Sequence, residues 1–142
     1  MSWIATSLDS FVDKDHLPAL AAFQRNYLTN QPQGDRFYDY FVVHLNRVWG
    51  YLEPVAANAG VTSMIDFVTG CYLELKTEEM KISPAAGCYP YFIRQKTGVA
   101  DFYAWAIFPV AQFPDIKEYV QAIPAITRFI SESWLIKDEA RV

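Results

Sequence analysis

Two carboxylates four residues apart, Asp9 and Asp13, stand near the start of the chain. On a helix this spacing places both side chains on one face. Ionised carboxylates held there repel each other unless a cation lies between them, and Mg²⁺ often joins one or two carboxylates to phosphate oxygens. Two interpretations follow: a metal site that handles a phosphate group, or two solvated acidic residues, which is the commoner arrangement.

Two basic residues, Arg94 and Lys96, form a second candidate site. The planar guanidinium fork of arginine suits phosphate because it donates two parallel hydrogen bonds. Lys96 either assists phosphate binding or is simply solvated. The alternative for Arg94 is a surface arginine near the start of a helix.

Apolar residues recur at helical spacing in the middle of the chain, at Met64, Phe67, Val68, Cys71, Tyr72 and Leu75. They predict a helix from about Thr62 to Met80, in which Gly70 could mark close packing of another helix. The aromatic faces are either ordinary core or the wall of a cavity. In a cavity, each could stabilise a cation by up to about 2 kcal/mol when desolvated. Trp105 and Phe108 carry the same ambiguity.

Further helices are predicted from the spacing of apolar residues and from the positions of proline and glycine. Asp15 is predicted to cap the first of them, and Gln31 to Gly34 to form a turn. Residues 102–108 could form a buried strand, but no partner strand is convincing, so a helix is preferred. These elements predict an all-α class and one domain over residues 1–142. The predicted bounds are about Leu17–Asn30, Asp35–Leu52, Tyr89–Phe108 with a possible break near Gly98, Asp115–Ala122 and Ala125–Ile136.

The composition of the chain argues against several classes of protein. The 142 residues carry a net charge of −4, which argues against nucleic-acid binding, and no apolar stretch is long enough to span a membrane. The start of the chain lacks the features of a secretory signal. Cys71 and Cys88 fit a reduced, cytoplasmic protein better than a disulfide. A zinc site is improbable with only His16 and His44.

Three segments, in this order, resemble the trichodiene-synthase-type (fungal class I) terpene cyclase family: residues 8–13 (LDSFVD), 66–74 (DFVTGCYLE) and 89–98 (YPYFIRQKTG). The resemblance covers most of this chain but less than half of a complete cyclase, so a truncated member is expected. It implies part of the class I helical bundle and a prenyl diphosphate substrate such as farnesyl diphosphate. It also implies Mg²⁺ at Asp9 and Asp13, diphosphate contacts from Arg94 with Lys96, and a product cavity lined by Phe67, Cys71, Tyr72 and Trp105.

The chain departs from the family pattern at several positions. Ser10 and Lys14 stand where further acids are usual, and Gln95 stands where a second arginine is common. The family's second metal motif falls near the C-terminus and is predicted to be absent. The registers considered for it place Trp134, Asp138 and Val142, or Ser131, Leu135 and Glu139, or Asn58, Thr62 and Asp66, at the ligand positions.

Three functions remain open at this stage. The first is Mg²⁺-dependent ionisation and cyclisation of a prenyl diphosphate. The second is a metal-independent cavity that binds an isoprenoid or catalyses a pericyclic closure by proximity, with Arg94 or Tyr72 polarising a carbonyl. The third is a helical subunit that completes a partner chain. Apolar faces left uncovered in a partial bundle predict a homodimer or a partner chain.

Overall fold

The computed structural model describes residues 14–97 and 99–139, which contain helices and no strand. Six α-helices, numbered α1 to α6 in chain order, cover Leu17–Leu28, Arg36–Tyr51, Pro54–Lys76, Tyr89–Thr97, Ala100–Ala106 and Ile123–Glu139. Short 3₁₀ turns occur at Lys14–His16, Ile116–Glu118 and Val120–Ala122. The predicted all-α class is confirmed, as is the preference for helix over strand after residue 102.

Carboxylate caps begin the two longest helices of the first half. Asp35 precedes α2, and its Oδ1 accepts a hydrogen bond from the Phe37 N–H at 2.8 Å. Glu53 precedes α3, and its Oε2 accepts from the Val55 N–H at 2.8 Å. Each carboxylate satisfies an N–H that the helix leaves unpaired and lies at the positive end of the helix dipole. Pro54 is tolerated in the first turn of α3 because its missing N–H is not needed there.

Helix α3 is central to the packing, since α1, α2, α4 and α5 all contact it. Its buried positions form one side of the helix: Ala56, Ala57, Gly60, Val61, Met64, Phe67, Val68, Gly70 and Cys71. The residues that α2 buries recur at steps of three and four: Tyr38, Phe41, Leu45 and Val48. Fully burying such a side chain stabilises the fold by roughly 1.5–3 kcal/mol.

A second, smaller cluster joins α5 to α6. The rings of Phe108 and Tyr119 stack with centroids 4.4 Å apart, and Phe113 packs edge-on against both. The Val110 N–H donates to the Tyr51 carbonyl at 2.9 Å, which holds this connection against the end of α2.

The structure corrects the predicted start of α3. The helix begins at Pro54 rather than near Thr62, and it ends at Lys76 rather than Met80. The Glu53 cap supports the early start. Glycine lowers the stability of a helix, but Gly60 is buried beside the Phe102 ring, where packing outweighs propensity.

The structure also differs from the prediction after α5 and at both ends of α1. Residues 115–122 form two 3₁₀ turns instead of one helix, because the Asp115 side chain caps the Lys117 N–H and Tyr119 is buried in the aromatic cluster. Helix α1 ends at Leu28, shortly before Asn30 enters the left-handed region at φ 54°. The residue before α1 is His16 rather than the predicted Asp15, and the His16 side chain does not cap the helix.

The break predicted near Gly98 is confirmed, since α4 ends at Thr97 and α5 begins at Ala100. The close packing predicted at Gly70 is also confirmed: a Cβ added there would lie 3.0 Å from the Lys96 Cβ. Residues 77–88 connect α3 to α4 as a mostly exposed loop. Neither the buried Cys71 nor the exposed Cys88 forms a disulfide among the described residues. Across the described ranges, no helix is both long and apolar enough to cross a bilayer.

Candidate functional site

A polar cleft runs along the side of α3 opposite its buried positions. Its first part has a volume of about 710 Å³ and lies between α1, α3, α4 and α5; its polar wall includes Asn58, Thr62, Asp66, Gln95, Lys96 and Asp101. A second part of about 660 Å³ shares Gln95 and Asp101 and extends to α6. Either part falls in the usual range for small-molecule sites. Asn58, Thr62 and Asp66 reach one wall because residues four apart share a helix face.

Lys96 places a cation in the wall of the cleft. Its Nζ lies 2.9 Å from Asp66 Oδ1 and 3.2 Å from Oδ2, and 5.4 Å from the centroid of the Phe92 ring. The Lys96 side chain is 27% exposed and that of Asp66 is 50% exposed. The pair is therefore partly screened by solvent, and an anion that enters the cleft can compete with Asp66 for the ammonium group.

Arg94 is half-buried on α4 but is absent from the residues that line the cleft. Side chains two positions apart on a helix point roughly 200° away from each other, because each residue turns the helix by about 100°. Arg94 and Lys96 therefore leave α4 on different sides. The structure thus places the two predicted phosphate contacts on the same short helix without bringing them together as one clamp.

The backbone between α4 and α5 is strained. Val99 has φ 47° and ψ 22°, in the left-handed region, although its side chain is β-branched and buried. That conformation costs roughly 1–2 kcal/mol and tends to occur at functional sites, where the surrounding structure enforces it. The last turn of α4, just before Val99, is held by two contacts. Thr97 Oγ1 donates to the Ile93 carbonyl at 3.0 Å, and Lys96 packs on Gly70.

Asp101 lies where the two parts of the cleft meet. Partial burial raises the pKa of Asp101 above its ordinary value of 3.8, while the Thr127 hydroxyl and the Trp105 side chain lower it by less. The Thr127 oxygen is buried close by without a hydrogen bond of good geometry. Asp101 is exposed as a whole residue, so solvent weakens this effect on its pKa.

The four predicted cavity residues lie away from this cleft. Phe67 and Cys71 are 2% and 3% exposed and belong to the main core on the other side of α3. Tyr72 is partly buried, with Lys76 Nζ 5.4 Å from its ring centroid. Trp105 packs between the two clusters, 6.5 Å from the Tyr119 ring. None of the four is among the side chains that line the cleft.

The predicted metal ligands Asp9 and Asp13 lie outside the described residues. Among the side chains that the structure describes, no three His, Cys, Asp or Glu residues come together to hold a metal ion. The described part of the cleft therefore does not fit a metal cluster by itself. The absence of a second metal motif near the C-terminus stays a prediction.

The cleft brings together Asp66, Gln95 and Asp101. The sequence analysis named Asp66 only in one register of a metal motif predicted to be absent, noted Gln95 only as a departure from the family pattern, and gave no role to Asp101. A usable signal was present for Asp66, since Asn58, Thr62 and Asp66 repeat at steps of four and contrast with the apolar residues between them. Asp101 carried no comparable signal, because its position depends on how α6 packs over α5.

The sequence profile of the family described as Trichodiene synthase (TRI5) matches residues 2–139. Terpene synthase BipA of Cochliobolus sativus is 31% identical over 132 residues, which cover 92% of this chain and 40% of the relative. The (E)-beta farnesene synthase of Metarhizium brunneum is 29% identical, covering 83% and 37%, and longiborneol synthase CLM1 of Gibberella zeae is 25% identical, covering 92% and 40%. The chain thus spans about two-fifths of the length of these relatives.

Proposed function

Because the chain belongs to the trichodiene synthase family, we propose that it acts in terpenoid biosynthesis by binding a prenyl diphosphate in the polar cleft. The observation that carries this proposal is the Lys96 ammonium group, fixed in the cleft wall beside Asp66. A lysine is a compact point charge with three donors, suited to a diphosphate. The prenyl chain would then extend along the second part of the cleft, past Tyr91 and Ile123.

The chemistry we propose is ionisation of the allylic diphosphate. The carbon–oxygen bond breaks, and its electron pair leaves with the diphosphate oxygen. Lys96 stabilises the charge that develops on that oxygen. Arg94, which leaves α4 on a different side and does not line the cleft, is kept as a separate proposed diphosphate contact that rests on the family resemblance. Phe67 and Cys71 support the α3 wall from the core. Tyr72 and Trp105 lie away from the cleft, so their proposed role as aromatic faces for the cation rests on the family resemblance.

Mg²⁺ is the metal expected from the family, with Asp9 and Asp13 as its ligands. When bound, it would neutralise diphosphate oxygens. Since the described residues supply no metal cluster, no step proposed for this chain passes through the ion. Removing the metal is one arm of the experiment below.

The salt bridge between Lys96 and Asp66 favours a second function. In that function the chain binds an isoprenoid, or catalyses its ring closure without ionisation. Asp66 already neutralises the Lys96 cation, which leaves the first part of the cleft suited to an uncharged terpenoid. The partner-subunit function and the expected homodimer stay proposals; the exposed Phe129 on α6, at 71%, is one place where such a contact could form.

The test combines product analysis with binding of inorganic pyrophosphate. The chain is incubated with farnesyl diphosphate and Mg²⁺, with and without EDTA, and hydrocarbon products and released diphosphate are assayed. Calorimetry then measures pyrophosphate affinity for the wild type, Lys96→Gln, Asp66→Asn and the control Lys81→Gln in the exposed loop.

We expect Lys96→Gln to weaken pyrophosphate binding about ten-fold, since a charge-assisted hydrogen bond contributes roughly 1.5–3 kcal/mol. Asp66→Asn should strengthen binding because it frees the ammonium group, and Lys81→Gln should change nothing. Products that disappear with EDTA establish an ionising cyclase. Isoprenoid binding without products supports the second function. Pyrophosphate affinity that is the same in Lys96→Gln and the wild type refutes the proposed site.

A further inference from the structure

A second cavity, separate from the cleft, lies between α2, α3 and α5. Its volume is about 220 Å³, and its floor consists of apolar side chains that are at most 5% exposed: Phe41, Leu45, Val48, Met64 and Phe102. An engineered cavity of about 150 Å³ with such a lining stays dry and binds benzene. The present cavity is larger, so it has room for a short hydrocarbon chain.

Three side chains with polar ends border this almost wholly apolar cavity. His44, Arg47 and Tyr51 line it from α2 at steps of three and four, which places all three on one helix face. Arg47 is exposed, and among the described residues it has no carboxylate within ion-pair distance. The His44 ring lies edge-on to Tyr40, with centroids 4.3 Å apart, which fixes the imidazole beside the opening.

We propose that this cavity binds a small lipophilic anion, with its hydrocarbon chain between α2, α3 and α5 and its head group on Arg47. The guanidinium fork pairs with carboxylate or phosphate in two parallel hydrogen bonds, and His44 can add a third. The apolar floor rejects a polar ion without a chain, and the unpaired cation rejects a positively charged amphiphile. The site is independent of Lys96 and of the cleft function.

The three methionines of the chain allow a direct test. Met64 lines the cavity, whereas Met80 is 48% exposed in the loop before α4. In a chain labelled with ¹³C at the methionine methyl groups, octanoate should shift the Met64 signal saturably and leave Met80 unmoved. Met64→Leu and Met80→Leu assign the two signals.

Head-group and chain-length series separate the two parts of the proposal. Arg47→Gln should weaken octanoate binding about ten-fold while leaving octan-1-ol nearly unchanged, and Arg25→Gln on α1 is the matched control. Affinity should rise about four-fold for each methylene from butanoate to octanoate, following the burial energy of a methylene group. Geranyl monophosphate also combines a hydrocarbon chain with an anionic head group, but the head group is a phosphate. Comparing its affinity with that of octanoate shows whether the site prefers phosphate or carboxylate.

The proposal is overturned if octanoate leaves the Met64 signal unmoved. It is equally overturned if octanoate shifts Met64 and Met80 alike, or if Arg47→Gln and Arg25→Gln bind octanoate with the same affinity. Because Arg47 is exposed on α2, Arg47→Gln leaves the core intact. A difference in octanoate affinity between Arg47→Gln and Arg25→Gln therefore reports binding and not unfolding.

Discussion

Replacing Gly70 by alanine tests how closely α3 and α4 pack. The added Cβ would lie 3.0 Å from the Lys96 Cβ, 3.1 Å from Thr97 Cγ2 and 3.4 Å from the Lys96 carbonyl carbon. These neighbours belong to the last turn of α4, so the turn must shift to admit a methyl group. Inserting a methyl into a close-packed contact typically costs about 1–3 kcal/mol.

Alanine also favours the helix over glycine by about 1 kcal/mol, which offsets part of that cost. We therefore expect Gly70→Ala to lower the free energy of unfolding by about 1 kcal/mol, or the melting temperature by about 4 °C for a chain of this size. Gly50→Ala is the matched control, because Gly50 is helical, exposed and has nothing within 4 Å of an added Cβ. The Gly50→Ala variant should be more stable than the wild type by up to about 1 kcal/mol, because the same helix preference meets no clash there.

Thermal and urea unfolding of the two variants measure the difference, and pyrophosphate titration shows whether the shift reaches Lys96. The expected result is opposite signs for the two stabilities and weaker pyrophosphate binding in Gly70→Ala alone. If Gly70→Ala is as stable as Gly50→Ala, the α3–α4 contact is looser than described, and the fixed position of Lys96 loses its basis.

Three further substitutions probe the electrostatics and the caps. A raised pKa means that ionised Asp101 opposes folding, so stability from this group is greatest below pH 3.8 and is lost as pH rises through the folded pKa. Asp101→Asn should therefore raise the melting temperature at pH 7 and not at pH 3; an equal effect at both values would contradict this. Tyr119→Phe removes a buried hydroxyl that has no hydrogen-bond partner and should stabilise the chain by about 1 kcal/mol in urea unfolding; a loss would reveal an unseen partner. Glu53→Ala removes the α3 cap and should cost about 1 kcal/mol by the same assay, whereas no loss would mean that Pro54 alone sets the start of α3.

Local chemistry in the sequence was enough to predict most helices. The spacing of the apolar residues in α2, at intervals of three and four, predicted the bounds of this helix closely. The glycines at positions 98 and 70 were enough to predict the helix break and the close helix contact. The start of α3 was missed because Pro54 and Gly60 count against a helix locally, while Glu53 and the buried contact with Phe102 decide in its favour. Local propensity yields to packing in such cases.

The candidate site was less predictable. Asp66 and Lys96 are thirty residues apart, and their pairing exists only because α4 packs on Gly70. The apolar stripe of α3 was correctly identified, but spacing alone does not tell which edge of a stripe meets a neighbour. Phe67 and Cys71 lie in the main core, and polar residues on the opposite side of α3 line the cleft. Family resemblance located the segment that carries Lys96 but could not supply these contacts.

The loop of residues 77–88 has a consequence for how the chain can be handled. It is mostly exposed, as nicking sites usually are, and the helices on its two sides are held by the contacts of α3 with α4 and α5. A cut here would leave two pieces whose buried surfaces still match. The halves could thus be produced separately and combined, which would let isotope labels be confined to the piece that carries Met64 or to the piece that carries Lys96.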